Sequence, residues 1–183
     1  MTYFVSREVA AIALFSGLWG VLNSIFAPIV FRMFGLPILC DMVGFATLTL
    51  TVWWIRKFGA ATAVGIIATV VNFIFNPYGV HFLGFMAASI AFDIAAKLIG
   101  YDRSFSDSLF TTTSMFLASV LSAAVAGLII GTFFMEVPAL ARWGGILGWA
   151  GLHAVGGIIG GLIGMALVTG LAARGVRRIY AKT

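Results

Sequence analysis

Charged side chains occur mainly at the borders of long apolar segments, and this arrangement strongly limits how the chain can fold. Of its 183 residues, 62% are hydrophobic and 9% are charged, whereas soluble domains contain roughly 25% charged residues. A helix needs about 20 apolar residues to cross the hydrocarbon layer of a bilayer. The sequence therefore predicts an all-α integral membrane protein.

Turn-forming and charged residues divide the chain into a bundle of about six predicted transmembrane helices. These helices are expected over about Glu8–Ala27, Met42–Ile55, Ala60–Phe75, Val80–Ile99, Ser108–Phe134 and Trp143–Ala173. The second is short for a membrane span unless it begins near Leu36. Pro28 is expected to end the first helix, and Asn76-Pro77-Tyr78-Gly79 supplies the turn after the third. Because the helices occupy most of the chain, residues 1–183 are predicted to form a single transmembrane domain.

Basic residues are distributed unevenly between the two ends of these helices. With six spans, one side of the membrane carries nine basic residues: Arg7, Arg56, Lys57, Lys97, Arg103, Arg174, Arg177, Arg178 and Lys182. The other side carries only Arg32 and Arg142. Cytoplasmic loops carry an excess of Lys and Arg, so the sequence predicts a multi-pass protein of the cell membrane with both termini in the cytoplasm. The net charge of +5 is attributed to contact with lipid headgroups and not to nucleic-acid binding.

Several chemistries have no motif in this sequence. The only cysteine, Cys40, excludes an intrachain disulfide and a cysteine-based metal site. A glycine-rich phosphate loop with a lysine is lacking, so the chain is not expected to hydrolyse ATP. The two histidines, His81 and His153, are too far apart in sequence to indicate a metal cluster. We therefore expect no catalytic residues, no metal and no cofactor.

The sixth predicted helix contains His153 and a dense set of glycines: Gly156, Gly157, Gly160, Gly161 and Gly164. Spacings of three and four residues place these positions on one stripe of the helix. Small residues at such spacings allow helix backbones to approach closely in lipid, so we expect the glycines to pack helices. An imidazole in an apolar span needs a polar partner, which for His153 is either another helix or a ligand.

Asp93 is the only acid expected to lie well inside an apolar run. Intramembrane carboxylates cost roughly 2.5–3.5 kcal/mol on insertion scales and often have a function. Lys97 follows four residues later, a spacing that suits a helical ion pair. Asp93 is therefore expected either to pair with Lys97 or to bind a cationic or hydrogen-bonding solute.

Polar and aromatic residues gather at the predicted outer ends of the helices. Asn72 and Asn76 share one face of the third helix, and Tyr78 and His81 follow in the loop. Arg32 and Asp41 are expected in the first outer loop, and Trp143 lies beside the third. Tyr78 and Trp143 also fit the aromatic belt of a membrane interface. As a set, these residues are candidates to line an outward-facing pocket that stacks a heterocycle and bonds its edges.

An intramembrane protease of the rhomboid class is a remote alternative, because His153 with Gly156 and Gly160 resembles the histidine helix of that family. The family also requires a Gly-x-Ser-Gly nucleophile turn, which the sequence lacks. A Ser–His mechanism without a placed nucleophile fails.

One stretch of the chain resembles a known family. It begins at Trp54-Ile55-Arg56-Lys57-Phe58-Gly59-Ala60-Ala61 and continues through Asn76-Pro77-x-Gly79 to Asp93. Together with the chain length and the six predicted helices, it resembles the substrate-binding S components of energy-coupling-factor vitamin transporters, particularly the thiamine or hydroxymethylpyrimidine type. The motif-level similarity covers about Thr51 to Ala95, and Asp93 stands where that type has a glutamate.

The resemblance implies a function and partners. An S component captures a vitamin at its outer face under a lid of outer loops, and it docks on a transmembrane coupling protein that carries two cytoplasmic ATPase subunits. It would release thiamine, or its pyrimidine moiety, inside the cell. Small residues of the first helix form the docking surface in this family, and Ala10, Ala13 and Gly17 are the matching positions here. The different alternative is a non-catalytic structural or assembly subunit of a membrane complex.

Overall fold

The computed structural model describes residues 3–102, 105 and 108–176. These residues form α-helices with no β-strand among them. The helices are α1 (Ser6–Phe34), α2 (Ile38–Ile55), α3 (Ala60–Phe75), α4 (Phe82–Ile99), α5 (Ser108–Phe133), α6 (Val137–Arg142) and α7 (Gly145–Ala173). The bounds of α3 agree with the prediction, whereas the six-residue α6 was not predicted.

The prediction that Pro28 ends the first helix is wrong. Helix α1 continues to Phe34 with Pro28 inside it and ends at Gly35, whose left-handed φ of 68° allows its N–H to bond the carbonyl of Phe31. Membrane helices tolerate proline because neighbouring groups can satisfy the backbone atoms that it frees. Helix α2 also begins earlier than expected, at Ile38. Arg32 and Asp41, expected in one outer loop, therefore lie in the last turn of α1 and the first turn of α2.

Five helices, α1, α2, α4, α5 and α7, are long and apolar enough to cross a membrane. This confirms the all-α class and fits a multi-pass membrane protein. Helix α3 is apolar but has 16 residues, or about 24 Å at 1.5 Å per residue, which is shorter than a hydrocarbon layer of about 30 Å. The sixth crossing and the cytoplasmic position of both termini stay predictions.

Successive long helices run in opposite directions, so the helix termini collect at two ends of the bundle. The two ends carry different side chains. At the end that holds the start of α1, Lys57 pairs with Glu8 at 2.8 Å and the N–H of Gly59 bonds Asp93 of α4 at 2.8 Å. We call this the terminal end. The opposite end gathers the last turns of α1, α3 and α5 and the first turns of α2, α4 and α7 around one cavity, and we call it the cavity end.

The glycines of α7 pack on two neighbours at once. A Cβ at Gly160 would lie 2.7 Å from the carbonyl oxygen of Asp41, and one at Gly164 would lie 2.7 Å from the Cβ of Thr49, both in α2. On the adjacent side, a Cβ at Gly157 would lie 2.8 Å from the carbonyl oxygen of Ser119 in α5. The predicted packing role of the glycines is confirmed, with the stripe divided between α2 and α5.

We expect Gly160→Leu to destabilise the protein by about 2 kcal/mol or more, because overpacking against backbone atoms forces the helices apart. Thermal unfolding in detergent, followed by tryptophan fluorescence, measures the effect. Gly151→Leu on the same helix is the control, since a Cβ at Gly151 meets nothing within 4 Å. Equal unfolding temperatures for the two variants would contradict the packing analysis.

Candidate functional site

A cavity of about 220 Å³ lies at the cavity end of the bundle. Every long helix contributes to its wall. Its lining residues are Ala27, Pro28, Phe31, Arg32, Pro37, Cys40, Asn76, His81, Phe82, Phe85, Ile130, Phe134, Met135, Trp149 and His153. The cavity is therefore built from distant parts of the chain that the helical packing brings together.

Aromatic rings form much of the cavity wall. The rings of Phe82 and Phe85 have centroids 5.9 Å apart, and Phe85 lies 5.6 Å from the His153 ring. Trp149 and His153, one helical turn apart on α7, have centroids 5.5 Å apart at 73°, and Phe31 lies 6.4 Å from Trp149. Offset and edge-to-face rings at these separations attract one another, so the wall is held as a connected set suited to a planar ring.

A buried hydrogen bond joins Asp41 of α2 to His153 of α7. The His153 Nδ1 lies 3.0 Å from the Asp41 Oδ1, and both side chains are at most 1% exposed. The bond depends on a glycine, because a Cβ at Gly156 would lie 2.5 Å from the Cβ of Asp41. Of the two partners left open for His153, another helix is therefore present, and the same histidine also lines the cavity.

Several buried polar atoms near this pair have no hydrogen-bond partner within the described ranges. They are the Nε2 of His153, the Oδ2 of Asp41 and the Nε1 of Trp149. Buried polar groups are nearly always bonded in folded proteins, and leaving one unpaired costs about 1–3 kcal/mol. Such a concentration beside a cavity is typical of a site that receives a polar ligand.

The predicted outer residues Asn72 and Asn76 lie side by side at the end of α3. A Cβ at Gly79 would lie 3.0 Å from the Nδ2 of Asn72 and 3.1 Å from that of Asn76, so the turn after α3 rests on both amides. Asn76 lines the cavity, whereas Asn72 is fully buried behind it and accepts a 2.9 Å hydrogen bond from the Ser24 hydroxyl. The two amides thus shape the loop beside the cavity.

His81 also lines the cavity, just before α4 begins. Burial, with a smaller contribution from His153, lowers the pKa of His81 to about 4. Its ring is therefore neutral near pH 7. His81 can offer a ligand one donor and one acceptor nitrogen, but no positive charge.

Tyr78 and Trp143 are not among the cavity-lining residues. Tyr78 is 93% exposed at the tip of the loop between α3 and α4. Trp143 follows α6 and lies close to Gly35, near the end of α1. Their positions at the cavity end of the bundle suit the aromatic-belt interpretation.

Asp93 lies at the terminal end, remote from the cavity. Its Oδ2 accepts hydrogen bonds from the backbone N–H of Gly59 and from the N–H and hydroxyl of Thr62, at 2.8–3.0 Å. Its Oδ1 accepts one from Tyr101 at 2.9 Å, and burial together with Asp93 raises the pKa of Tyr101, so this hydroxyl stays a donor. The ammonium of Lys97 lies instead over Phe58, 4.4 Å from the ring centroid. Asp93 therefore caps the N-terminus of α3 and does not form the ion pair with Lys97 that was one of the two expectations.

The predicted docking positions lie on the outside of the bundle. Ala10 and Ala13 are exposed, Gly17 is half-buried, and a Cβ at Gly17 would meet nothing within 4 Å. Leu14 and Leu18 flank them and are 62% and 45% exposed. This face of α1 is therefore apolar and open.

The site thus brings together Asn76, His81 and His153 of the predicted set, and adds residues that the sequence analysis did not select. Asp41 was placed in a loop because α2 was expected to begin at Met42. Arg32 was expected near the pocket, in the first outer loop, whereas Cys40 and Trp149 had no pattern that distinguishes a cavity wall from a lipid-facing surface. One signal was available for Asp41: a helix long enough to span the membrane must begin before it.

No protein-family model matches the chain, and comparisons with curated proteins and with solved structures give no match either. The resemblance to vitamin-transporter S components therefore stays a prediction based on the sequence motifs.

We expect Asp93→Asn to lower the stability by about 1.5–3 kcal/mol, because a neutral amide replaces a carboxylate that accepts four hydrogen bonds. Lys97→Met is the control and should cost about 1 kcal/mol or less. Thermal unfolding and solute binding are measured together. A loss of solute binding without a loss of stability would assign Asp93 to the ligand.

Proposed function

We propose that this protein captures a small organic solute in the cavity and hands it to partner proteins for import, as the S component of an energy-coupling-factor transporter does. The observation that supports this most directly is the cavity itself. It has aromatic walls, and its buried imidazole and indole carry nitrogens without partners in the described part of the chain. Ligand sites combine a mostly apolar concave surface with a few placed polar groups.

The charge distribution supports capture from outside the cell. Arg56 and Lys57 lie at the terminal end, as do Lys97 and Arg174, whereas Arg32 and Arg142 lie at the cavity end. The positive-inside rule assigns the basic end to the cytoplasm, which turns the cavity outward. A cavity open to the outside is where an importer first meets its solute.

The chain needs a partner to drive import. Its sequence contains no phosphate-binding loop, so energy would come from two cytoplasmic ATPase subunits joined through a transmembrane coupling protein. The open face of α1 with Ala10, Ala13 and Gly17 is the proposed contact for that coupling protein, since small residues allow close approach of a second helix. We propose a vitamin or vitamin precursor as the solute, following the family resemblance.

A non-catalytic assembly subunit is the second candidate, because the open face of α1 would serve a purely structural contact equally well. It gives the cavity no role. An intramembrane protease has less support. Ser16, Ser114 and Ser119 donate to backbone carbonyls of their own helices, and the hydrogen-bond partner of His153 is Asp41.

We expect a solute to co-purify with the gently solubilised protein at close to one molecule per chain. Mass spectrometry of the small molecules released on denaturation identifies it. Ala27→Leu should empty the site because Ala27 lines the cavity and is buried. Ala166→Leu on the exposed side of α7 is the matched control and should retain the solute. Two results together would favour the assembly-subunit hypothesis: no solute co-purifies with the protein, and the Ala27→Leu variant supports uptake as well as the wild type does.

We expect Ala13→Trp to abolish uptake by intact cells while leaving solute binding by the purified protein within about twofold of wild type. The indole would prevent close approach of a partner helix to α1, and Ala13 is remote from the cavity-lining residues. Ala166→Trp on α7 controls for a bulky residue in the lipid. Normal uptake by Ala13→Trp would reject the proposed docking face.

A further inference from the structure

We infer that the cavity selects a single-ring heteroaromatic acid, with a carboxylate near Arg32 and a ring acceptor facing Trp149 and His153, in preference to a cationic ring. The inference rests on the proposed capture function and specifies the chemistry of the ligand. It follows from the charge of the wall, the donors at its base, and the volume of the cavity.

The wall has a positive charge and no acidic residue among the described residues that line it. Arg32 is exposed in the last turn of α1 and has no ion-pair partner in the described ranges. A guanidinium binds a carboxylate through two parallel hydrogen bonds. A cation in the cavity would meet Arg32 with no carboxylate on the lining to offset its charge, and Asp93 lies at the other end of the bundle.

Trp149 and His153 supply hydrogen-bond donors deeper in the cavity. Both side chains are at most 2% exposed, and the Nε1 of Trp149 and the Nε2 of His153 lack partners among the described residues. The indole nitrogen is always a donor. Because the two residues are four apart on α7 and their rings are in edge contact, the inference places both nitrogens against the same part of the ligand.

The inference requires His153 to be a donor as well, and its bond to Asp41 allows two arrangements in which it is. An isolated charge is costly in a low-dielectric interior, so the pair is most stable with no net charge. A neutral Asp41 donates to the His153 Nδ1, which leaves the ring hydrogen on Nε2. An ionised Asp41 beside an imidazolium also leaves a hydrogen on Nε2. In either arrangement Asp41 is a positioning residue that directs an N–H of His153 to an acceptor.

The volume of the cavity favours one ring over two. About 220 Å³ is below the 300–1,000 Å³ typical of ligand pockets. Phe31, Phe82 and Phe85 provide apolar ring surfaces around that volume. A planar heterocycle with one carboxylate matches the aromatic wall, the deep donors and the guanidinium together.

The test uses three probes that share a ring and differ in charge: pyridine-3-carboxylate, pyridine-3-carboxamide and 3-(aminomethyl)pyridine. Equilibrium dialysis against the purified, solute-free protein at neutral pH gives a Kd for each. We expect the carboxylate to bind about tenfold tighter than the carboxamide, as one charge-assisted pair predicts, and the protonated amine to bind weakest.

Variants assign the selectivity to named residues. Arg32→Gln should weaken the carboxylate about tenfold and leave the carboxamide unchanged. Arg142→Gln is the matched control, since Arg142 lies at the same end of the bundle but is not among the lining residues. Trp149→Phe should weaken the carboxylate and the carboxamide by the same factor, because both share the ring acceptor.

The outcomes separate this inference from the capture function. If the amine, or thiamine tested alongside it, binds as tightly as the carboxylate and Ala27→Leu blocks that binding, the acid preference is wrong and capture stands. An unchanged carboxylate-to-carboxamide ratio in Arg32→Gln also overturns the inference. If no probe or vitamin binds and no solute co-purifies, both proposals fail.

Discussion

Close contact of α7 with α2 and α5 is the interaction on which the cavity depends. The glycines at 156, 160 and 164 admit the backbone and side chains of α2, while Gly157 and Gly161 admit α5. Lipid offers little hydrophobic driving force between helices, so such surfaces associate through backbone proximity and packing. This contact also fixes the depth at which His153 meets Asp41, since a side chain at Gly156 would occupy the space of the carboxylate. The floor of the cavity is thus a consequence of helix packing.

The hydrogen bonding of buried polar side chains differs between the two ends of the bundle. At the terminal end, Asp93 accepts four hydrogen bonds, and Lys57 pairs with Glu8. These contacts bind the turn between α2 and α3 to α1 and α4, which gives that end a structural role. At the cavity end, buried nitrogens of Trp149 and His153 lack partners in the described part of the chain. Keeping these buried nitrogens unpaired lowers the stability of the protein, and a ligand that pairs with them can offset that cost.

Sequence patterns predicted the helices well, because apolar length and turn residues act locally. The bounds of α3 and the packing of the α7 glycines followed from such patterns. The errors came from tertiary context. Pro28 was expected to end α1, but neighbouring helices allow a proline inside a membrane helix. Asp41 was placed in a loop because α2 was expected to begin at Met42, and nothing in the local sequence indicates that α7 supplies its partner. Asn76, His81 and His153 were selected by their polarity, whereas the phenylalanines of the wall look the same in sequence as those that face lipid.

The position of Asp41 links stability to ligand choice. A carboxylate buried without a partner would favour a cation, and the sequence left open for Asp93 either an ion pair with Lys97 or a cationic or hydrogen-bonding solute. With His153 at 3.0 Å, the proton sharing that we propose for the pair would remove that negative charge and present an N–H in its place. The acid therefore changes what the cavity recognises without touching the ligand itself. Arg32 lines the cavity and Asp41 does not, so in the proposed site both act in the same direction, and the ligand is expected to carry acceptors at the base of the cavity as well as at its entrance.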